Sequence, residues 1–388
     1  MLLFEKKVPP PHVIFYKFPR KQGAEVIIKS LQVQNFRNFE MQDFHFAPGV
    51  NILLGDNAQG KTNVIEALWL FSACKSFRVS DDKPFLRIGE HRAAIYGEYE
   101  RNGRVYRPVM KFYDDKSREI FLNNVAVRPR EIVGQFPSVL FYPDHLSLVK
   151  GSPELRRKFL DLALCQTDPL MLPLLNEYNK VHQQRNALLK QYRERFDAKS
   201  ALDIWDEKIA SLSAKIAWKR HEFITEMQPF AQRVMDEISG GRERLDIVYK
   251  TVCNMPTRDM EALEDRFFYA LKQNREKDLY SGHTSTGVHR DDFELYINGE
   301  NAKIYASQGQ QRSCVMALKM AEADLLRKAT GEYPIMLFDD VFSELDPYRR
   351  SYIIERIRGR QVILSCCEDT GDFAEAKIFR IKSGAVEE

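Results

Sequence analysis

Residues 49–63 have the sequence GVNILLGDNAQGKTN, and they predict the centre of the fold. The first six, 49–54, are a short apolar run bounded by glycines, as expected of a buried strand. The next eight, 55–62, fit the phosphate-loop pattern G-x-x-x-x-G-K-[ST] without a gap. The residues that follow, NVIEALWLFSA, place apolar side chains on one face of a helix. A strand, a glycine loop and a helix in this order predict the phosphate-binding unit of an α/β protein.

Each residue type in this loop has a chemical task. The glycines let backbone N–H groups turn inward around phosphate oxygens, and the helix N-terminus adds the positive end of its dipole. Lys61 is expected to reach the β- and γ-phosphates of ATP, and Thr62 is expected to ligate Mg²⁺. The predicted nucleotide-binding residues of the loop are Gly55, Asp56, Asn57, Ala58, Gln59, Gly60, Lys61, Thr62 and Asn63.

Two carboxylates near the C-terminus complement the loop. Residues 335–338, IMLF, form an apolar run that ends in Asp339 and Asp340. A buried strand with a carboxylate at its C-terminal tip is what a phosphate-loop enzyme uses to hold Mg²⁺, so Asp339 is the predicted metal residue. Asp340 is placed to polarise the attacking water, and the two aspartates are the candidate catalytic residues. Without the phosphate loop, a surface turn would explain the pair equally well.

A third segment precedes a predicted helix over 308–329. Residues 307–313, SQGQQRS, resemble the S-x-G-Q signature of SMC-like ABC ATPases, and 343–346, SELD, have the S-x-L-D form found at the dimer interface of ABC-type ATPases. In that arrangement the signature of one subunit caps the γ-phosphate held by the other, which makes Ser307, Gly309 and Gln310 nucleotide-binding residues of a homodimer. The alternative is a helix N-cap formed by Ser307 with no ligand.

With these motifs together the chain resembles the RecF family of bacterial recombination mediators, over about residues 26–388. The segments that carry the resemblance are NFRNFE at 35–40, GDNAQGKTN at 55–63, LVKGSPELRRKFLD at 148–161, GVHRDD at 287–292, SQGQQRS at 307–313 and LFDDVFSELD at 337–346. The resemblance implies an ATP-dependent homodimer that binds duplex DNA and single-strand/duplex junctions in recombinational repair and replication. It implies work with RecR and RecO to place RecA on gapped DNA, and a position for Arg37 near the nucleotide.

The chain also departs from ABC-type patterns. Transporter-type ABC ATPases carry a histidine after the strand that follows the second acid, whereas VILSCCE at 362–368 offers Ser365 and cysteines. The Q-loop is not evident, and Gln135 and Asp144 are its candidates. Asp340 has one methylene fewer than the glutamate of many ABC enzymes. We therefore expect a weak DNA-stimulated ATPase that acts mainly as a dimerisation switch.

The remaining patterns predict the architecture. Alternating residues over 86–142 predict an antiparallel meander with turns at Asn102–Gly103 and Asn123–Asn124, which ends with the strand SVLFY at 138–142. Apolar residues spaced three and four apart then predict two helices of roughly 20 residues in a short antiparallel hairpin, or an ordinary helical subdomain. We predict an ABC-type α/β ATPase lobe with a mixed sheet from 26–147 and 283–388, an inserted helical lobe over 148–282, and an N-terminal extension, 1–25, of unknown role.

Charge identifies no nucleic-acid surface by itself. The chain has 58 basic and 55 acidic residues and a net charge of +3, so a DNA-binding surface must come from local clusters. Candidate clusters are Arg156, Arg157, Lys158, Arg185, Lys190, Arg193 and Arg195. Interleaved acids leave ordinary solvated helix faces as the alternative. The segment HRDD at 289–292 is too acidic for a phosphate clamp and is interpreted as nucleotide-site or lobe-interface structure.

Several classes of protein fit the sequence poorly. The six cysteines show no C-x-x-C spacing, which favours reduced thiols in a cytoplasmic protein over a metal site. No apolar run approaches the roughly 18 residues of a membrane span, and we expect no membrane partner. A transporter subunit would carry L-S-G-G-Q and the switch histidine. An SMC-like DNA end-processing ATPase, the main alternative, would need a far longer coiled coil.

Overall fold

The computed structural model describes residues 25–191, 198–253, 259–368, 371, 373 and 375–387. The predicted N-terminal extension lies outside these residues except for Glu25. Within them, the strands β1 to β16 are, in chain order, Ile27–Phe36, Phe39–His45, Val50–Leu54, Arg92–Arg101, Arg104–Tyr106, Pro108–Tyr113, Glu119–Leu122, Val125–Ala126, Ser138–Phe141, Leu245–Lys250, Asp292–Ile297, Glu300–Asn301, Ile335–Asp339, Val362–Cys366, Lys377–Lys382 and Ala385–Glu387. The helices α1 to α11 are Lys61–Ala73, Pro129–Ile132, Ser147–Lys150, Pro153–Thr167, Met171–Gln191, Ala198–Ser239, Met260–Gln273, Arg275–Ser281, Ala302–Tyr305, Gln308–Thr330 and Pro347–Ile357.

One sheet is antiparallel throughout, with the strand order β2-β1-β4-β6-β7-β8 and β5 beside β4. Both predicted turns are confirmed, since Arg101 pairs with Arg104 and Leu122 pairs with Val125. Asn102 has a φ of 51°, and Asn123 and Asn124 have φ values of 51° and 65°. Asparagine tolerates this left-handed region better than most residues, which is why these dipeptides form tight turns.

The second sheet has the order β16-β15-β3-β14-β13-β9, and all its pairs except β15–β16 are parallel. The prediction that 138–142 ends the antiparallel meander is wrong, because β9 pairs in parallel with β13, from Ser138 beside Ile335 to Phe141 beside Phe338. All four residues of β9 are buried, as is usual for a parallel strand covered on both faces. The parallel strands deliver their carboxyl ends, and the loops after them, to one edge.

Alternate side chains of β13 serve two cores. Ile335 and Leu337 pack in the core that contains α1 and the antiparallel sheet, whereas Met336 and Phe338 pack in the core that contains α10 and the helical region. This alternation follows from the two-residue period of a strand. Burial of each large apolar side chain stabilises the fold by roughly 1.5–3 kcal/mol, so the strand is fixed in register. Asp339 is therefore held firmly at the carboxyl edge of the sheet.

Helices α5 and α6 form the predicted antiparallel hairpin. Asp168, just before α5, pairs with Lys219, and Arg185, near its end, pairs with Asp206, so the partners run backwards along α6. The predicted length of the second helix is wrong, since α6 has 42 residues. Buried apolar residues recur along its second half, and the helix continues through Pro229, a residue type that commonly ends a helix.

A small third sheet has the order β10-β11-β12. Its first pair joins 245–250 to 292–297, on opposite sides of the lobe boundary placed at 283, and that boundary stays a prediction. Among the helices of the described ranges, none combines the length and the apolar character that crossing a membrane requires.

Candidate nucleotide site

The phosphate loop lies between the end of β3 at Leu54 and the start of α1 at Lys61. Its two glycines are required by close packing. A Cβ atom at Gly55 would lie 2.2 Å from the carbonyl oxygen of Ile381, and one at Gly60 would lie 2.9 Å from the amide of Asn38. Gly60 also has a φ of 122°, which side chains rarely allow. The loop therefore keeps its path only with glycine at both positions.

The side chain of Lys61 spans this loop. Its Nζ donates hydrogen bonds to the carbonyl oxygens of Gly55 and Asp56, the second at 3.2 Å. It also lies 3.2 Å from the Sγ of Cys367, which is 3.1 Å from the Oδ1 of Asn57. Cys367, from the segment that lacks the switch histidine of transporter-type ABC ATPases, thus contacts the loop itself. Lys61 is buried, so its ammonium group lies within the loop rather than in bulk solvent.

The structure brings Thr62 and Asp339 together from opposite ends of the chain. The Oγ1 of Thr62 donates a 2.9 Å hydrogen bond to the Oδ1 of Asp339, and Ser365 donates a second of the same length. Burial raises the pKa of Asp339, while these two hydrogen bonds and the nearby charge of Arg78 lower it. A hydroxyl and a carboxylate are hard oxygen ligands of the kind Mg²⁺ prefers. The residues present therefore fit the magnesium site expected from the sequence.

Asp340 follows with an unusual backbone. Its φ is 50°, and its N–H donates to the Oγ of Ser365 at 2.9 Å. The hydroxyl of Ser343 donates to the Asp340 carbonyl at 2.9 Å and to its carboxylate at 3.2 Å. Asp340 is thereby turned toward the S-E-L-D segment, while Ser365 bonds both acids of the pair.

Arg37 contacts the helix that follows the loop, and its expected position near the nucleotide stays a prediction. Its guanidinium makes two hydrogen bonds, of 2.9 and 2.8 Å, to the fully buried carboxylate of Glu66 in α1. The next residue, Asn38, holds the loop. Its Nδ2 donates to the Gln59 carbonyl at 2.8 Å, and its Oδ1 accepts from Asn63 at 2.8 Å. The sequence interpretation missed Asn38, although it belongs to the NFRNFE segment that pointed to Arg37.

A second missed residue is Arg78, which follows α1 in the segment KSFR. Its NH1 donates to the Oδ1 of Asn63 at 2.9 Å and lies 3.7 Å from Glu66. Its charge is close enough to oppose the rise in the pKa of Asp339. With 43% of its side chain exposed, Arg78 is a cation at the rim of the site. Its position beside a glycine-loop helix was the available signal.

The signature residues cluster at the start of α10. The Oγ of Ser307 accepts from the N–H of Gln310 at 3.2 Å, and the Oε1 of Gln310 accepts from the N–H of Ser307 at 2.9 Å. This reciprocal pair is a capping box. Arg349 donates to the Gly309 carbonyl at 2.8 Å and to the Ser313 hydroxyl at 2.8 Å. Ser307 stays exposed, so the observed N-cap and a role in capping a partner's phosphate are compatible.

Two of the predicted DNA contacts are wrong. Arg156 is buried and makes two hydrogen bonds, of 2.6 and 2.8 Å, to Asp292. Arg185 is fully buried between Asp206 and Asp278, at 2.6 and 2.7 Å. Arg156 and Arg185 both lie on the buried face of a helix. Basic side chains on such a face need carboxylates from other elements to pair with their charge.

The other basic residues divide into three groups. Arg157 is half-buried and donates to the Asp291 carbonyl, whereas Lys158 and Lys190 are exposed and stay predictions. Arg193 and Arg195 lie outside the described residues.

The HRDD segment packs against α4 and α6, since Asp292 pairs with α4 and Asp291 lies 3.5 Å from Arg220 in α6. It therefore serves as packing structure within the protein.

The parallel sheet also separates the two Q-loop candidates. Gln135 precedes β9 and so lies at the amino edge of the sheet, where its carbonyl accepts from Arg101 at 3.0 Å. Asp144 follows β9 and lies beyond the carboxyl edge, on the same side as Asp339. The topology therefore excludes Gln135 from the nucleotide edge and leaves Asp144.

Comparisons with known proteins show the family of this chain. A family model described as the RecF/RecN/SMC N terminal domain matches residues 27–382. A protein of Bacillus subtilis (strain 168) described as DNA replication and repair protein RecF is 36% identical, over 92% of this chain and 99% of its own length. One of Agathobacter rectalis with the same description is 37% identical, over 93% of this chain and 99% of its own length.

Solved structures give the same result. A structure described as the recombination mediator protein RecF-ATP in the RecFOR pathway has a TM-score of 0.88 at 30% identity, covering 95% of this chain and 99% of its own. An Smc head domain of Pyrococcus furiosus, bound to the C-terminal domain of ScpA, has a TM-score of 0.53 at 16% identity, covering 93% of this chain and 95% of its own, and it shows a shared fold. This chain therefore has the ABC-type ATPase fold of SMC heads and belongs to the RecF family.

Proposed function

We propose that this protein is an ATP-dependent DNA-binding protein of recombinational repair and replication, which dimerises around ATP and acts as a switch. The observation that carries the proposal is the meeting of Thr62 and Asp339 at 2.9 Å beside Lys61. These residues are 277 positions apart, and a purely structural role does not explain a lysine, a hydroxyl and a carboxylate gathered at a glycine loop. A solved RecF structure is described with ATP, which supports the same ligand here.

In this proposal the loop amides and Lys61 bind the phosphates, and Thr62 and Asp339 hold Mg²⁺. Bound Mg²⁺ supplies neutralising charge to the phosphate oxygens. Ser365 bonds both acids, so that Asp339 faces Thr62, while Ser343 holds the Asp340 carboxylate toward the S-E-L-D segment. Asn38 keeps Gln59 and Asn63 in place around Lys61, and Arg78 adds positive charge at the rim.

The second half of the site comes from a second copy of the chain. Ser307, Gly309 and the start of α10 supply a hydroxyl and free backbone N–H groups, which together favour an anion. Capping of the γ-phosphate in this way joins two subunits only while ATP is present. Duplex DNA and single-strand/duplex junctions are the proposed nucleic-acid partners, and RecR and RecO the proposed protein partners. We expect slow turnover, well below the ~10 s⁻¹ typical of enzymes.

Two substitutions at Ser307 test the shared site. Ser307→Asp and Ser307→Asn both retain the N-cap of α10, but only the first places a negative charge toward the γ-phosphate. We expect Ser307→Asp to bind ATP normally as a monomer, and to lose both ATP-dependent dimerisation and the ATP-dependent rise in affinity for a labelled gapped duplex. Fluorescence anisotropy and sedimentation measure the two effects. Normal dimerisation by Ser307→Asp, or loss of ATP binding in it, would contradict the shared site.

A further inference from the structure

The signature segment is held by a residue from the helical region. The Nε2 of Gln310 donates a 2.9 Å hydrogen bond to the Oε1 of Glu243, which lies 67 residues earlier in the chain. Glu243 sits in the turn between α6 and β10. This bond uses the end of the Gln310 amide that the capping box leaves available. It therefore connects the start of α10 to the end of the longest helix of the described residues.

The chemistry of Glu243 fixes the orientation of Gln310. A carboxylate only accepts hydrogen bonds, so it selects the NH₂ end of the glutamine amide. The carbonyl end must then face Ser307, whose backbone N–H it accepts at 2.9 Å. A donor in place of Glu243 would turn the amide around and set its NH₂ against the N–H of Ser307. Closure of the capping box thus depends on an acceptor at position 243.

Glu243 is in turn held by α6. Its backbone N–H donates to the Oγ of Ser239 at 3.2 Å, and its carbonyl accepts from the Nε2 of Gln232 at 3.3 Å. The Oε1 of Gln232 also accepts from the N–H of Leu245 at 2.6 Å, in the first residue of β10. The last turns of α6 therefore hold Glu243 from both sides, and a displacement of this helix end displaces the carboxylate.

The same helix end holds a second segment of the proposed interface. The Glu237 carbonyl accepts from the hydroxyl of Tyr348 at 3.3 Å, and its carboxylate accepts from that of Tyr352 at 2.7 Å. Both tyrosines lie on α11, which begins directly after the S-E-L-D segment. A helix of 42 residues is roughly 60 Å long. The C-terminal end of this long helix, with the turn after it, thus contacts both segments of the proposed dimer interface, the start of α10 and α11.

We propose that Glu243 is a positioning residue through which the helical arm, formed by α5 and α6, controls the signature segment at the start of α10. The inference rests on the proposed function, since the signature acts only in a dimer joined by ATP. When the end of α6 shifts, the Glu243 carboxylate leaves Gln310, the capping box opens, and Ser307 no longer presents its hydroxyl to the partner's γ-phosphate. A ligand bound along the arm thereby changes dimerisation without contacting either nucleotide.

The test measures ATP binding and dimerisation separately. We expect Glu243→Lys to bind a fluorescent ATP analogue with unchanged affinity and to dimerise at least ~tenfold more weakly in Mg-ATP, because one charge-assisted hydrogen bond is replaced by facing donors. Glu222→Lys is the matched control, since Glu222 is an exposed residue of α6, the helix that precedes Glu243. Glu243→Gln keeps an acceptor and a near-native shape, and we expect it to dimerise more strongly than Glu243→Lys. Sedimentation at several protein concentrations gives the dimer constants.

A rescue variant separates this role from simple loss of structure. In the Glu243→Lys background, Gln310→Glu provides a carboxylate that accepts both from Ser307 and from the new ammonium group, as in a standard capping box. The ammonium group neutralises this carboxylate, so the pair adds no net charge near the γ-phosphate, in contrast to Ser307→Asp. We expect dimerisation to return. Normal dimerisation by Glu243→Lys, or failure of the rescue in a protein that melts like wild type, overturns the inference while the ATP-joined dimer stands. Absence of ATP-dependent dimerisation in the wild type would instead remove the proposed function itself.

Discussion

Charged residues have different roles at the nucleotide edge, which is the carboxyl edge of the parallel sheet, and in the helical arm. At the nucleotide edge, Lys61 and Thr62 are neighbours in the chain and Asp339 ends a buried strand, so local sequence already defines their tasks. In the arm, Arg185 lies between Asp206 and Asp278, which are 21 and 93 residues away. A basic residue can therefore be assigned a role from a sequence motif only where that role is defined by residues next to it in the sequence.

The largest effect we expect is in the arm. Arg185→Ala leaves two buried carboxylates without their cation, which costs about 3–5 kcal/mol in the free energy of unfolding. Lys190→Ala, on the exposed face of the same helix, should change it by less than ~0.5 kcal/mol. Urea unfolding measures both. A stable Arg185→Ala protein with weakened DNA binding would break the comparison, because Arg185 would then be a nucleic-acid contact after all.

At the nucleotide edge we expect a substitution to change the free energy of unfolding by less, and in the opposite direction. Burial raises the pKa of Asp339, so the folded state holds its proton more readily than the unfolded state does. The ionised carboxylate therefore destabilises the fold at neutral pH, and this cost disappears as the pH falls below the unfolded pKa of about 3.9. We expect Asp339→Asn to raise the melting temperature at pH 7.5, with no gain near pH 4, while ATP hydrolysis is lost. Thermal melts at the two pH values measure the difference.

Equal destabilisation by Asp339→Asn at both pH values would contradict this expectation. It would mean that the hydrogen bonds from Thr62 and Ser365 outweigh the burial of charge. Asp339 would then resemble the arm, where ionic partners maintain the fold, and the contrast between the regions would weaken. Thr62→Val serves as a control, since it removes one donor to Asp339 without changing the carboxylate.

The same contrast explains how far the sequence could predict the structure. The phosphate loop, the strand before Asp339 and the two Asn turns have local signals, and the structure has each of them in place. The parallel pairing of β9 was missed, because an apolar strand does not show which neighbour it will have. The contact of Glu243 with Gln310 was missed for a related reason: it joins segments that only the folded chain brings together.

The smallest expected effect concerns Cys367. Its thiol lies 3.2 Å from the Nζ of Lys61 in the exposed part of the site, whereas four of the six cysteines are buried. Because Ser retains a polar group of similar size, Cys367→Ser should change ATP affinity by less than ~0.5 kcal/mol. A maleimide adduct on Cys367 is far larger and should abolish ATP binding, and bound ATP should slow its formation. Mass spectrometry of labelled wild type and Cys367→Ser identifies the site.

Loss of ATP binding on labelling, together with protection by ATP, would place the nucleotide beside Cys367, directly after the end of β14. If labelling at Cys367 leaves ATP binding intact, the phosphates do not pass between Asn57 and Lys61, and the contact between Cys367 and the loop is structural. If ATP protects Cys367 from labelling in the wild type but not in Lys61→Ala, protection requires nucleotide in the loop. The sulfur would then report occupancy of the site directly, without a DNA or dimerisation assay. Such a probe would test the nucleotide edge independently of the arm.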